Sequence, residues 1–277
     1  LVSPGGSVNI TYSPDKKNTY AFWLNCWDSF GPSETKTERE RTEYLEQAGV
    51  YKYAFAINSN SNYLFLNSGL YYQHKFNEEG HNLTARMNGF LNRQAMPLED
   101  HTTYTLPSPR ERVFKMDYLS SNAPISANVD YNLPYSKNGE FSIGLRGSWE
   151  DGTNRNVVDT LTNNGYVRDS VMSYDYHYRN QNWGGYFMVQ HRFGDFTVQP
   201  GLSVNCFRTG IVFPEAPDYD FVDDHFDVTP SLHLSYRTKS MHNFKMSYSM
   251  KVNRPTATQL SPFNHYDEET YTTGNPL

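Results

Sequence analysis

The chain has no apolar run long enough for a membrane helix, only two cysteines, and no concentration of basic residues. Each scarcity removes a class. A spanning helix needs about 20 mostly apolar residues, and no stretch supplies them. Cys26 and Cys206 stand far apart without CxxC or metal-ligand spacing, which argues against a zinc ribbon and leaves a single disulfide in an oxidising compartment as the alternative to two free thiols. Both read as buried or lipid-facing thiols. The net charge of -6 and the lack of a basic stripe leave nothing to neutralise nucleic-acid phosphates.

Catalytic signatures are missing too. There is no GxSxG elbow, HExxH, GxxxxGK[ST] or strand-borne GxGxxG. The nine histidines are scattered without carboxylate-backed pairs, His191 on an apolar strand face and His233 on a polar one. No catalysis, cofactor or metal is expected.

Only 37% of residues are hydrophobic, yet aromatics reach 16%, with 22 Tyr and 17 Phe. That is a thin core for a soluble enzyme. It suits a barrel whose strands meet lipid on one face and water on the other, with aromatics at both interfaces.

What is present is alternation with period two. Ile125, Ala127, Val129, Tyr131 and Leu133 share one strand face while Ser126, Asn128, Asp130 and Asn132 share the other. After the turn-forming Pro134 to Gly139, Phe141, Ile143, Leu145, Gly147 and Trp149 repeat the pattern, completing a β-hairpin. Four further hairpins follow the same rule: Val8 to Cys26, Leu64 to Leu91, Phe187 to Val204, and Phe226 to Val252. The reading is an all-β, antiparallel up-and-down transmembrane barrel with about ten strands present, one domain over residues 1–277. Pro200 and Pro230 fall inside strands, where each removes a ladder hydrogen bond. Bulges, or strands that start at the prolines, would resolve this.

Connections alternate between tight turns and long segments near 28 to 60, 93 to 123, 150 to 183 and 207 to 223. The long ones run to roughly fifteen to thirty-five residues. In outer-membrane barrels short turns are periplasmic and long loops extracellular. Ligand chemistry belongs in the loops. Ser33 to Gln47 is charged, with capping-box spacing at Thr35/Glu38 and Thr37/Glu40, and reads as a solvated loop or a short exposed helix. Tyr174, Tyr176, Tyr178, Arg179 and Trp183 are the ligand-binding candidates, able to stack on a sugar, peptide or chelate, or else to form an aromatic girdle. Glu215, Asp218, Asp220, Asp223 and Asp224 read as a charged loop, with a divalent cation as the sharper alternative.

Residues Leu1 to Gly6 lack the basic start and apolar core of a signal peptide, and no closing strand precedes Leu277. Both ends are expected to be cuts in a longer protein.

The run Asp227 to Tyr236, then Phe244 to Ser249, Asn253-Arg254-Pro255, Leu260-Ser261-Pro262-Phe263 and Thr273-Gly274-Asn275-Pro276-Leu277 resembles the barrel of TonB-dependent outer-membrane receptors of the Bacteroidetes type. There an Arg-Pro strand end precedes a Leu-Asn-Pro-Phe loop and a Gly-Asn-Pro element. Ser261 replaces the usual Asn, and Lys251 a frequent Arg. The resemblance is sharp over about the last fifty residues and general elsewhere. It implies a barrel of about 22 strands around a plug, in the outer membrane of a Gram-negative bacterium. It also implies import of a scarce nutrient (siderophore or haem, oligosaccharide, peptide) driven by the TonB complex. Implied partners are outer-membrane lipid and lipopolysaccharide, the plug, TonB, a surface lipoprotein and the small nutrient ligand.

Two other architectures accommodate the strands: a smaller closed outer-membrane barrel or porin, and a secreted soluble β-sandwich that binds glycans.

Overall fold

The computed structural model describes residues 2–43, 49–106, 109–238, 240, 242–255, 257–260, 264–267 and 270–273. Twelve strands form one sheet: β1 (Gly5–Tyr12), β2 (Asn18–Glu43), β3 (Gly49–Lys75), β4 (Asn82–Leu106), β5 (Arg110–Asn122), β6 (Ile125–Ser136), β7 (Gly139–Thr162), β8 (Gly165–Arg168), β9 (Tyr174–Phe193), β10 (Phe196–Val212), β11 (Phe221–Arg237) and β12 (Asn243–Ser249). A separate pair, β13 (Asn264–Asp267) and β14 (Thr270–Thr273), follows. All pairings are antiparallel between chain neighbours, apart from the arrangement around β5, β6 and β8.

β5 and β6 occupy one position. β5 pairs the upper halves of β4 and β7, and β6 their lower halves. They are two parts of one crossing, interrupted at Ala123-Pro124, where proline has no N–H to give. The break is bridged: Ala123 N–H donates to Asp151 O at 3.0 Å and Phe90 N–H to Pro124 O at 3.0 Å. Counted as crossings, the strands are the ten that the alternation marks.

The apolar faces stand in register. Ile10, Phe22, Leu70, Met87, Ala127, Gly147, Trp183, Cys206 and Phe226 form one row across nine crossings. These side chains are largely exposed on the outer face, as lipid-facing groups are; Trp183 is 57% and Phe193 62% exposed. Cys26 and Cys206 are exposed free thiols on that same face. From Trp183 to Phe193, the eleven residues of β9 span about 33 Å along the strand and about 25 Å after tilting, the height of an outer-membrane apolar band.

Aromatic rings crowd the turn end of that band. Tyr20 and Tyr72 lie 4.9 Å apart between centroids, Phe76 and His81 4.3 Å, and Tyr135 and Phe141 4.5 Å. Their polar tips are paired: Tyr72 donates to Asn18 at 3.1 Å, and Tyr131 and Tyr135 share hydrogen bonds with His81 and His191, both at 2.7 Å. Amphipathic rings with satisfied tips suit a membrane interface.

Three expectations are overturned. The long connections are mostly strand: β2 runs to Glu43 and β3 begins at Gly49, while β4, β7, β9, β10 and β11 likewise extend through the supposed loops. Above the lipid, polar residues can occupy both faces of a sheet, so pairing persists after the alternation fades. Ser33 to Glu43 is consequently strand, paired with Gly49 to Ser59, and not helix or loop; residues 44–47 lie outside the described residues. The prolines need no bulge and start no strand. Around Pro200, Val198 faces His191 and Gly201 faces Met188 in unbroken register, with the ladder skipping the two positions between. Pro230 accepts from Met250 N–H at 3.2 Å, so its nitrogen faces β12, where pairing ends at Ser231. The missing donor of Pro230 points where the ladder ends, and that of Pro200 falls in the two-position gap.

The β1–β2 turn is closed by Asp15, whose Oδ1 accepts the N–H groups of Lys17 and Asn18, both at 2.7 Å, and a bond from the Asn18 amide. The Asn18 side chain first, then the two backbone donors, hold this carboxyl below its ordinary range. A depressed carboxyl stabilises the turn above the ordinary carboxylate range and loses that effect as pH falls through its lowered value. Protection of the Lys17 and Asn18 amides, measured against their intrinsic exchange rates, should fall as pH drops below the ordinary carboxylate range, and Asp15→Ala should show the low protection already at neutral pH.

Ile143 lies mid-band on the outer face, 49% exposed. Ile143→Arg should destabilise the barrel in bilayers by about 2–4 kcal/mol, read by denaturant unfolding.

Candidate functional site: the polar inner face

Opposite the apolar rows, the inner face carries a linked set of polar groups. Asp130 on β6 accepts from Tyr186 at 2.7 Å and from Asn128 at 2.6 Å. The Tyr186 ring crosses Gly144 to get there; a Cβ at Gly144 would meet the ring at 2.1 Å. Arg146 on β7 reaches past Gly184 to Asn205 on β10, donating through Nη2 at 2.7 Å and Nε at 3.2 Å. A Cβ at Gly184 would meet Asn205 Oδ1 at 2.4 Å. Glycine thus lets side chains bridge strands that are not neighbours.

Higher on the wall, Glu150 accepts from Asn122 at 3.1 Å, Tyr178 at 3.1 Å and Asn180 at 3.3 Å. It lines a cavity of about 610 Å³ with Asn154, Asn182, Phe207, Thr209 and Arg254. Arg254, carried inward after β12, ion-pairs with Asp227 and lies 4.4 Å from the Phe207 ring centroid. Asn182 Oδ1 and Arg254 Nε are buried without a hydrogen-bond partner among the described residues. Glu150, Asn154, Asn182, Thr209 and Arg254 make its wall polar and partly charged, so its chemistry is hydrogen bonding and ion pairing.

The five ligand candidates do not share a surface. Tyr174 and Tyr176 are buried with Ile211 and Phe213, and Tyr178 packs against that cluster. Arg179 and Trp183 lie on the other face, as strand parity requires. Burial pushes the Tyr174 and Tyr178 phenols above their usual range, Tyr178 further through the adjacent Glu150 carboxylate. Arg179 sits above the apolar band, paired with Asp151 at 2.7 Å and 5.0 Å from the Trp149 ring. Trp183 lies in the band.

The acidic cluster is dispersed. Asp220 accepts Phe213 N–H at 2.6 Å, Glu215 pairs with Arg168 at 3.6 Å, Asp224 with Arg208 at 3.8 Å, and Asp223 with His225. Among the described residues no three metal-ligating side chains converge.

Sequence reasoning missed Glu150, Asn180 and Asn182 as a group because their loop was expected to be irregular. Their even-numbered parity, shared with Arg146 and Tyr186, was the available signal.

An apolar outer face of membrane height, aromatic rings at its edge and a polar inner face define the wall of an outer-membrane β-barrel. The model of the outer membrane protein β-barrel family matches residues 74–277, and the chain belongs to that family. The fold is shared with the closed form of the ferric-catecholate import receptor Fiu from K12 E. coli (TM-score 0.51, 10% identity, covering 89% of this chain and 48% of that one). The ferric citrate transporter FecA in its unliganded form also matches, with a TM-score of 0.38 and 10% identity over 88% of this chain and 43% of that one. The chain thus spans about half the length of these solved receptors. No curated protein sequence matches it.

Phe213 is fully buried, its centroid 5.8 Å from Tyr176. Phe213→Ala should destabilise this extracellular cluster by about 3–5 kcal/mol. Protease cleavage within 213–221 on intact cells should rise, with heat-modifiable gel mobility unchanged.

Proposed function

We propose that the chain is part of the wall of a TonB-dependent outer-membrane receptor that imports a scarce nutrient, without catalysis in this segment. The polar inner face carries this reading, above all the cavity walled by Glu150, Asn154, Asn182, Thr209 and Arg254. Such a surface can hydrogen-bond a plug and a passing hydrophilic solute, whereas the outer face suits only lipid. The nutrient is a siderophore or haem, an oligosaccharide or a peptide; the plug, the TonB complex and a surface lipoprotein are the macromolecular partners. The fold shared with an import receptor supports the barrel part of this reading.

Among the described residues β1 and β12 end the sheet and do not pair with each other. In lipid an unpaired edge leaves each exposed N–H and C=O unsatisfied, so both edges take further strands. This favours a larger barrel over a closed ten-stranded one.

Deletion of the full-length gene should abolish high-affinity uptake of one nutrient under limitation, and loss of TonB should mimic it. Uptake that persists without TonB would reject the receptor reading. The isolated 277 residues should form no discrete, stable pores in planar bilayers; regular conductance steps would favour the small closed barrel.

A further inference from the structure

We propose that a cup on the outer face, floored by Gly210 and walled by His177, Arg179 and Arg208, binds the phosphate of an outer-leaflet glycolipid headgroup. The inference rests on the outer-membrane location and not on the transport reading.

Position is the first argument. Gly147, Trp183, Cys206 and Phe226 form the last apolar row of the outer face on β7, β9, β10 and β11. One row higher stand Trp149, Gln181, Arg208 and Asp224, and above them Asp151, Arg179, Gly210 and Val222. The outer surface therefore turns from apolar to charged within about 7 Å along the strands, at headgroup level.

Shape is the second. Gly210 has no side chain, and a Cβ there would meet nothing nearer than Val222 Cγ2 at 3.9 Å. The gap belongs to a cavity of about 470 Å³ lined also by Asp151, Tyr178, Gln181, Val212 and Val222. Apart from Tyr178, its lining residues belong to the outer-face rows of β7, β9, β10 and β11.

Charge is the third. Arg179 spends its Nε on Asp151 at 2.7 Å and is steadied by the Trp149 ring, which leaves its two terminal nitrogens to donate outward. Arg208 stands 3.8 Å from Asp224, beyond hydrogen-bond distance, and is more than half exposed. Two guanidinium forks on one cup match the several acceptor oxygens of a phosphate monoester. Asp151 and Asp224 each offset one arginine, so a weakly held soluble anion gains little there. A phosphate anchored by its own acyl chains on Phe187, Leu202 and Val204 arrives at high effective concentration. The site is complete within β7, β9, β10 and β11, four adjacent strands of this chain, so strands added beyond β1 or β12 do not cover it.

The test uses the full-length protein, purified in mild detergent and offered phosphorylated lipid A, enzymatically dephosphorylated lipid A, or inorganic phosphate. Bound lipid is counted by native mass spectrometry. Wild type should retain phosphorylated lipid A about tenfold better than the Arg179→Gln/Arg208→Gln double variant, and the dephosphorylated form should bind both equally weakly. Gly210→Val, which fills the cup without changing charge, should cause a similar loss if the double variant folds poorly by heat-modifiable mobility. Equal retention of phosphorylated lipid by wild type and a folded variant overturns the site, as does binding indifferent to the phosphate. Displacement by millimolar inorganic phosphate overturns the lipid assignment in favour of a small-anion site.

Discussion

Within a bilayer no water reaches the backbone, so every N–H and C=O must be satisfied by the protein itself. The antiparallel ladder meets that demand, and other features of the sheet are arranged not to break it. Pro200 and Pro230 turn their nitrogens to places where pairing already lapses. The Ala123-Pro124 interruption is spanned by hydrogen bonds to both neighbours. Gly144 and Gly184 let polar side chains cross strands without displacing the backbone.

Two solvents then act on the two faces. The outer face needs only apolar bulk and tolerates rows as varied as Phe22, Ala127, Gly147 and Cys206. The inner face must satisfy its polar groups one by one, which is why Asp130, Glu150 and Asn205 each have named partners. The outer face sets the location, and the inner face sets what can pass or dock.

The crossings were legible in the sequence because lipid on one side and water on the other impose period two wherever a strand is in the membrane. The turns were legible for a similar reason: Asp15, Asn77 and Gly194 are residue types that tight reversals need. Above the lipid that contrast disappears, and the charged run Ser33 to Glu43 gave no sign that it would remain strand. Tyr174, Tyr176 and Tyr178 looked like a binding array because their neighbours across the sheet, Ile211 and Phe213, come from a distant segment. Parity alone separates them from Arg179 and Trp183, but parity is informative only once the segment is known to be a strand.

The surplus length of the strands has an electrostatic consequence. β2 is 26 residues long, about 85 Å along its axis, of which the apolar band uses about 33 Å. Its upper part, with Glu34, Lys36 and Arg39, stands several Debye lengths from the headgroups, since salt screens charge over about 8 Å. The tips are thereby insulated from the surface potential of the membrane. Charge at that height can change sign or pattern without altering how the wall sits in lipid, so the part of the molecule that first meets the outside is free to vary independently of the part that holds it in place.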